Sequence, residues 1–365
     1  MDYRQRPLEP TEFELAVECC KWAFADGERE TIDRLMPRID ADRFLAVARR
    51  HRVQGLIWHC LDALDVPLAA MLSNGLRNDA HRIAEEGLRA VKEMARLQQA
   101  FSDEGISCVF FKGLTLGKLA YSNPYLKMGW DIDLLVPRTA IRCAANALER
   151  LGYRLSAPAL QIRLPAFEQW HDKRKESVWY KSDGYMHVEL HSGLADNSYL
   201  IPAIGMDSPR QSVELAPGVV LPTLAPDELF AYLCVHGASS AWFRLKWITD
   251  LAALVHGQDA GQIERLYRRS QHLGAGRAAG QALLLAAWLY GTPISPTLRG
   301  ALKGDSATHW LARTGLSEMT GRAAIREPAD AMMGTAMIHL SQFFLLPGWR
   351  FKTSEFFRQL SAIGG

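Results

Sequence analysis

The segment Val109-Phe110-Phe111-Lys112-Gly113-Leu114-Thr115, followed by Trp130-Asp131-Ile132-Asp133-Leu134-Leu135-Val136, constrains the fold more than any other part of the chain. The first apolar run breaks at a glycine, and the second carries two carboxylates at alternate positions. Successive side chains on a strand point to opposite faces, so Asp131 and Asp133 share one face while Ile132 and Leu134 enter a core. Two carboxylates held so close repel each other unless a cation offsets them. Taken alone, the pair fits either a solvated strand end or a Mg²⁺ site, because Mg²⁺ takes one or two carboxylates and keeps positions open for phosphate oxygens.

A later strand signal supplies a third carboxylate. Tyr185-Met186-His187-Val188-Glu189-Leu190-His191 alternates, with His187, Glu189 and His191 on one face and Val188 and Leu190 on the other. Ser182-Asp183-Gly184 is a turn signal that pairs this strand with Val178-Trp179-Tyr180. Placed beside the Asp131 and Asp133 strand, it lets Glu189 complete a three-carboxylate site.

This order of motifs resembles a known superfamily. Lys112-Gly113, a short helix with Tyr121, Asp-Ile-Asp-Leu-Leu-Val from Asp131, a helix ending in Leu151-Gly152-Tyr153, and Glu189-Leu190-His191 are similar to nucleotidyltransferases of DNA polymerase beta type. The likeness is narrower still to the uncharacterised bacterial nucleotidyltransferases, and it spans roughly residues 75–255. It implies an α/β (α+β) fold: a nucleotidyltransferase-type mixed sheet with a helical N-terminal segment and a helical C-terminal domain. It also implies that Asp131, Asp133 and Glu189 are the catalytic residues and the ligands of Mg²⁺ or Mn²⁺. The substrate implied is a nucleoside triphosphate, attacked at its α-phosphorus. A nucleoside monophosphate then passes to an acceptor hydroxyl or phosphate as pyrophosphate leaves. Metal ions clamp the entering and leaving oxygens, and the third carboxylate helps deprotonate the acceptor.

One departure concerns the phosphates. Superfamily members usually carry Gly-Ser after the first strand, where this chain has Lys112-Gly113-Leu114-Thr115. Gly113 allows close backbone approach, and a helix starting near Leu114 offers free amides to an anion, whereas Thr115 is offset from the usual Ser. Lys112 and Lys127 are candidate phosphate contacts, against readings as an exposed strand-end charge and an ordinary loop lysine. Arg244 and Lys246, in Trp242-Phe243-Arg244-Leu245-Lys246-Trp247-Ile248-Thr249-Asp250, are candidates from the helical region, against a reading as the basic face of an amphipathic helix. His191 is an auxiliary candidate, assisting catalysis or orienting Glu189, against a reading as a structural histidine near a strand end.

The remaining sequence sets bounds. Hydrophobic periodicity divides the chain into a helical region at 1–104, a nucleotidyltransferase core at 105–223 and a helical domain at 224–365. Pro217-Gly218 joins two short strands, and Pro226-Asp227-Glu228 opens a helix. The net charge of +2 offers no broad basic surface, which favours a small-molecule or peptide acceptor over RNA, although a tRNA end stays compatible with the motifs. The six cysteines form no Cys-x-x-Cys pair. No apolar signal region opens the chain and no run of about 18 apolar residues crosses a bilayer, so the expectation is a cytoplasmic protein without membrane contact. The alternative function, from another class, is a catalytically silent nucleotide-binding regulatory module of the same fold. A phosphohydrolase is a third option, which leaves the Lys-Gly and Glu-Leu-His strands unexplained.

Overall fold

Alternation of β-branched, aromatic and polar residues in the middle of the chain produces seven strands among the described residues. They are β1 (Val109–Phe110), β2 (Asp131–Leu135), β3 (Tyr153–Ala157), β4 (Glu176–Lys181), β5 (His187–His191), β6 (Arg210–Ala216) and β7 (Val219–Leu224). The computed structural model describes residues 11–25, 27–129, 131–157, 164–181, 186–320, 325–330 and 333–363. It divides into two compact units: Arg82–Leu229, which holds every strand, and the chain up to His81 together with the chain from Phe230 onward.

In the strand-bearing unit the first five strands form one mixed sheet in the order β1-β2-β5-β4-β3. β2 and β5 run parallel, and the other pairings are antiparallel. A parallel pair needs a long crossover. Here the chain between β2 and β5 supplies the helices Ile141–Arg150 and Leu164–Lys173 together with β3 and β4. The expected turn at Ser182-Asp183-Gly184 lies outside the described residues, but β4 and β5 pair as its flanks require, with Trp179 opposite Val188. The Pro217-Gly218 hairpin forms as well, with Gly218 at φ 78°, and β6 and β7 make a separate two-stranded sheet.

The core of this unit follows from the alternation. Ile132, Leu134, Val188 and Leu190 point to one face, each at most 2 % exposed, and belong to one buried cluster with Val91, Met94, Leu97 and Phe101 of the helix Ala70–Asp103 and Ala144 and Leu148 of Ile141–Arg150. Each such side chain contributes about 1.5–3 kcal/mol on burial. The opposite face of β2 and β5 carries their polar residues. An α+β architecture with a mixed sheet and flanking helices is therefore what the chain adopts.

The other unit is helical among its described residues. Helix Thr11–Lys21 packs on Ala41–His51 and Gln54–Ala63 from its own side of the sequence, and on Leu245–Leu254 and Arg277–Tyr290 from the far side. Asp40 caps Ala41–His51 by accepting from the Arg43 amide, and Asp259 with Gln262 forms a capping box on Ala260–His272. A tight turn precedes Leu245–Leu254, with Ala241 at φ 46° and Trp242 at φ 54°. Gly237 permits it, because a Cβ there would lie 2.5 Å from the Trp242 ring. Cys19, Cys20, Cys60, Cys108 and Cys234 are buried and unoxidised, Cys143 is exposed, and burial pushes the Cys19, Cys20 and Cys234 thiols well up. Among the described residues no helix is long and apolar enough to cross a membrane.

His51 is fully buried in this unit and accepts a hydrogen bond from the Leu245 amide at 3.0 Å. Burial, with the charge of Arg50 beside it, lowers its pKa to about 3. A depressed value means that the unfolded chain takes up the proton first, so stability is lost as pH falls below the ordinary histidine range. From pH 7 to pH 5 this residue should remove about 2 kcal/mol. Urea titrations of His51→Gln, which keeps an acceptor without a titrating ring, should show that increment missing from the pH dependence of wild type.

Candidate active site

The polar face of the sheet is assembled by register. The parallel pairing of β2 with β5 sets Asp131 opposite His187, Asp133 opposite Glu189 and Leu135 opposite His191. Paired positions share a face, so the Asp-x-Asp carboxylates and the His-x-Glu-x-His side chains rise on the same side. The face is more enclosed than a sheet edge: Asp133 is 6 % exposed and His191 1 %, whereas Asp131 at the start of β2 is open to solvent. Among the described residues, the groups whose ligand atoms converge to within 4.8 Å are Asp133, Glu189 and His191.

Lys112 reaches the same point from β1. The chain leaves β1 at Phe110 and turns through Gly113, at φ 62° and ψ −127°, into the helix Leu114–Tyr121. Only glycine takes this backbone conformation without strain. Thr115 locks the turn: it is fully buried, and its hydroxyl donates to the Lys112 carbonyl at 2.9 Å and to the Phe110 carbonyl at 3.3 Å. Its side chain is thereby committed to the backbone. The turn aims Lys112 Nζ at Asp133 Oδ1, 2.5 Å away, and leaves it 3.7 Å from Glu189 Oε2. Phe111 meets the His191 ring edge-on with centroids 4.9 Å apart.

His191 sits between the carboxylates. Its Nε2 lies 3.3 Å from Asp133 Oδ1 and 3.4 Å from Glu189 Oε2, and its Nδ1 lies 3.3 Å from Glu176 Oε2. Burial disfavours the imidazolium, but the contacts with Asp133 and Glu189 outweigh it and raise the His191 pKa. Burial likewise opposes ionisation of Glu189, yet His191 and Lys112 hold its carboxyl well below the usual range. The charges continue outward, since Lys175 Nζ lies 3.5 Å from Glu176 and 3.4 Å from Asp196. Glu176 escaped the sequence reading. Its signal was available: counting back along the hairpin from Trp179 opposite Val188 sets Glu176 opposite His191.

The site's chemistry suits a divalent cation. Asp133 Oδ1 and both ring nitrogens of His191 are buried, and despite their short distances to charged neighbours none of them makes an aligned hydrogen bond. Buried polar atoms are normally paired, and the carboxylate oxygens of Asp133 and Glu189, compensated here by the Lys112 ammonium and His191, are hard donors that a divalent ion can engage.

Lys127 follows the 3-10 turn Pro124–Leu126, is 7 % exposed, and carries its Cβ beside Gly117. Arg244 and Lys246 belong to the helical unit, at the start of Leu245–Leu254. Arg244 donates to Glu327 at 2.9 Å and lies 5.0 Å from the Phe243 ring centre.

Comparison with known proteins adds one result. No curated protein matches the chain. The sequence profile of a family described as uncharacterised nucleotidyltransferase matches residues 37–291, taking in the Lys-Gly turn, the Asp-x-Asp strand and the Glu-x-His strand. With well over half of its length in that match, the chain belongs to the family of uncharacterised nucleotidyltransferases.

Proposed function

We propose that this protein is a divalent-metal-dependent nucleotidyltransferase of DNA polymerase beta type. It moves a nucleoside monophosphate from a nucleoside triphosphate such as ATP to an acceptor hydroxyl or phosphate, and pyrophosphate leaves. The observation that carries the reading is the convergence of Asp133, Glu189 and His191 beside the Lys112-Gly113 turn.

Asp133 and Glu189, with Asp131 on the same face of β2, would hold Mg²⁺ or Mn²⁺. When bound, the ion offsets phosphate charge and polarises the reacting oxygens. The chain's own residues do the rest. His191 braces both carboxylates from beneath and is itself braced by Glu176. The start of Leu114–Tyr121 presents amides toward an anion, and Gly113 keeps the approach clear of a side chain. Lys112 moves its contact from carboxylate to phosphate as the substrate's negative charge arrives. Lys127 is a secondary phosphate contact in this reading, while Thr115 shapes the turn. The small net charge favours a small-molecule or peptide acceptor over RNA, and the protein works in the cytoplasm.

A second reading, a nucleotide-binding regulatory module without transfer, is favoured by one specific observation. The Lys112 ammonium, 2.5 Å from Asp133, already offsets the acidic cluster. Incubation with labelled nucleoside triphosphates, Mg²⁺ and cell extract separates the two, because a silent module binds nucleotide and labels nothing.

Asp133→Asn keeps shape while removing a charge, so transfer should fall by about three orders of magnitude with the thermal transition of the protein retained. Wild-type turnover by the purified variant would remove Asp133 from the chemistry. Lys112→Met should act in the opposite sense on metal. Without the ammonium, Asp133 and Glu189 repel, so the metal-free protein melts earlier and Mn²⁺ raises its Tm by more than it raises that of wild type. Metal binding about tenfold tighter corresponds to about 1.4 kcal/mol of added stabilisation. Equal Mn²⁺ shifts in the two proteins would place the ion elsewhere.

A further inference from the structure

A second charged site lies wholly within the helical unit. Arg50, near the end of Ala41–His51, has a side chain 3 % exposed. Its Nε donates to the Arg326 carbonyl at 2.5 Å, and its Nη1 lies 3.8 Å from Glu327 Oε2. Arg244 approaches the same carboxylate, with Nη2 donating to Glu327 Oε1 at 2.9 Å. Between the two arginines lies Phe243, whose ring centre is 5.1 Å from the Arg50 guanidinium and 5.0 Å from that of Arg244. The tight turn at Ala241 and Trp242 delivers Phe243 and Arg244 as neighbours.

The hydrogen-bond count does not close. Glu327 has two carboxylate oxygens, one given to each arginine. Arg50 Nη1 and Nη2 and Arg244 Nε remain buried without an aligned acceptor. Leaving buried donors of a charged group unsatisfied costs more than an ordinary hydrogen bond returns. Charge is unbalanced as well. Among the described residues, two guanidinium groups share one close carboxylate, and His51 beside them is neutral. Burial brings Arg50 down to about 10, which fits a guanidinium short of negative partners.

We propose that Arg50 and Arg244, held around Phe243, form a binding site for a phosphoryl oxyanion, and that the Glu327 carboxylate stands in for it in the present structure. A carboxylate brings two oxygens, whereas a phosphoryl group brings three, arranged to meet the terminal fork of one guanidinium and the Nε edge of another. Glu327 is the most exposed of the three charged groups, at 38 % of its side chain against 12 % for Arg244 and 3 % for Arg50. It is thus the member that an incoming anion displaces toward water. Glu327 acts as an internal competitor, and the ligand binds with an affinity reduced by the cost of releasing it.

The test is anion binding to the full-length protein by calorimetry in EDTA, with tripolyphosphate as the probe. Glu327→Gln should bind about tenfold tighter than wild type, because the competing charge is gone. Arg50→Gln should lose about tenfold or more, and Arg244→Gln in the Glu327→Gln background serves the same purpose if Arg50→Gln does not fold. Lys112→Met should bind tripolyphosphate as wild type does. Loss of binding in Lys112→Met would assign the anion to the turn beside the acidic site instead and overturn the proposal. Unchanged affinity in Glu327→Gln would overturn it too. Separate titrations of Glu327→Gln with magnesium-free ATP and with glycerol phosphate identify the source of the phosphoryl group: a nucleotide's phosphate chain if ATP alone binds, a phosphomonoester if glycerol phosphate alone binds. Binding of neither overturns the proposal.

Discussion

The ion pair between Lys112 and Asp133 is the interaction on which the polar face of the sheet depends. Asp133 and Glu189 stand on adjacent parallel strands at paired positions, and no sheet tolerates two ionised carboxylates there without compensation. Three separate pieces of the chain meet to supply it: the turn after β1 brings the ammonium, β2 the aspartate, and β5 both the glutamate and the buried imidazole. Because the compensating cation is part of the protein, the strands can pair before any ligand arrives. The same contact sets the terms for a metal ion, which must compete with a resident ammonium.

Much of this was legible in the sequence. The alternation around Asp133 and Glu189 assigned their faces correctly, and the apolar positions Ile132, Leu134, Val188 and Leu190 are the buried ones. Local rules also found the break at Gly113, the helix from Leu114 and the Pro217-Gly218 hairpin. Side-chain partners were harder. Alternation puts His191 on the acidic face but says nothing of its depth, which is fixed by Phe111 and by Glu176 across the β4–β5 pair. Nor does it distinguish a solvated lysine from one drawn 2.5 Å from a carboxylate, since the turn geometry at Gly113 decides where Lys112 points. Thr115 is similar: the sequence offers a hydroxyl beside an anion-binding turn, and the fold spends it on two backbone carbonyls.

The two units hold charge in contrasting ways. Around Asp133 an excess of carboxylate is met by Lys112 and His191, at contacts that make no aligned hydrogen bond to Asp133 Oδ1. Around Arg50 an excess of guanidinium is met by Glu327, with donor atoms left over. Buried charges of this kind are poor sources of stability, since desolvation takes back most of what attraction gives. In each case an aromatic side chain, Phe111 or Phe243, packs against the charged group.

The register of β2 against β5 carries a genetic consequence. Side chains alternate with a period of two, so one codon inserted into or deleted from either strand would send Glu189 to the apolar face and bring Val188 or Leu190 beside Asp133. Core and site would fail in the same event, and no single later substitution could restore both. Length variation among descendants of this sequence should therefore fall in the connections between strands and leave the spacing of Asp131, Asp133, Glu189 and His191 within their strands untouched.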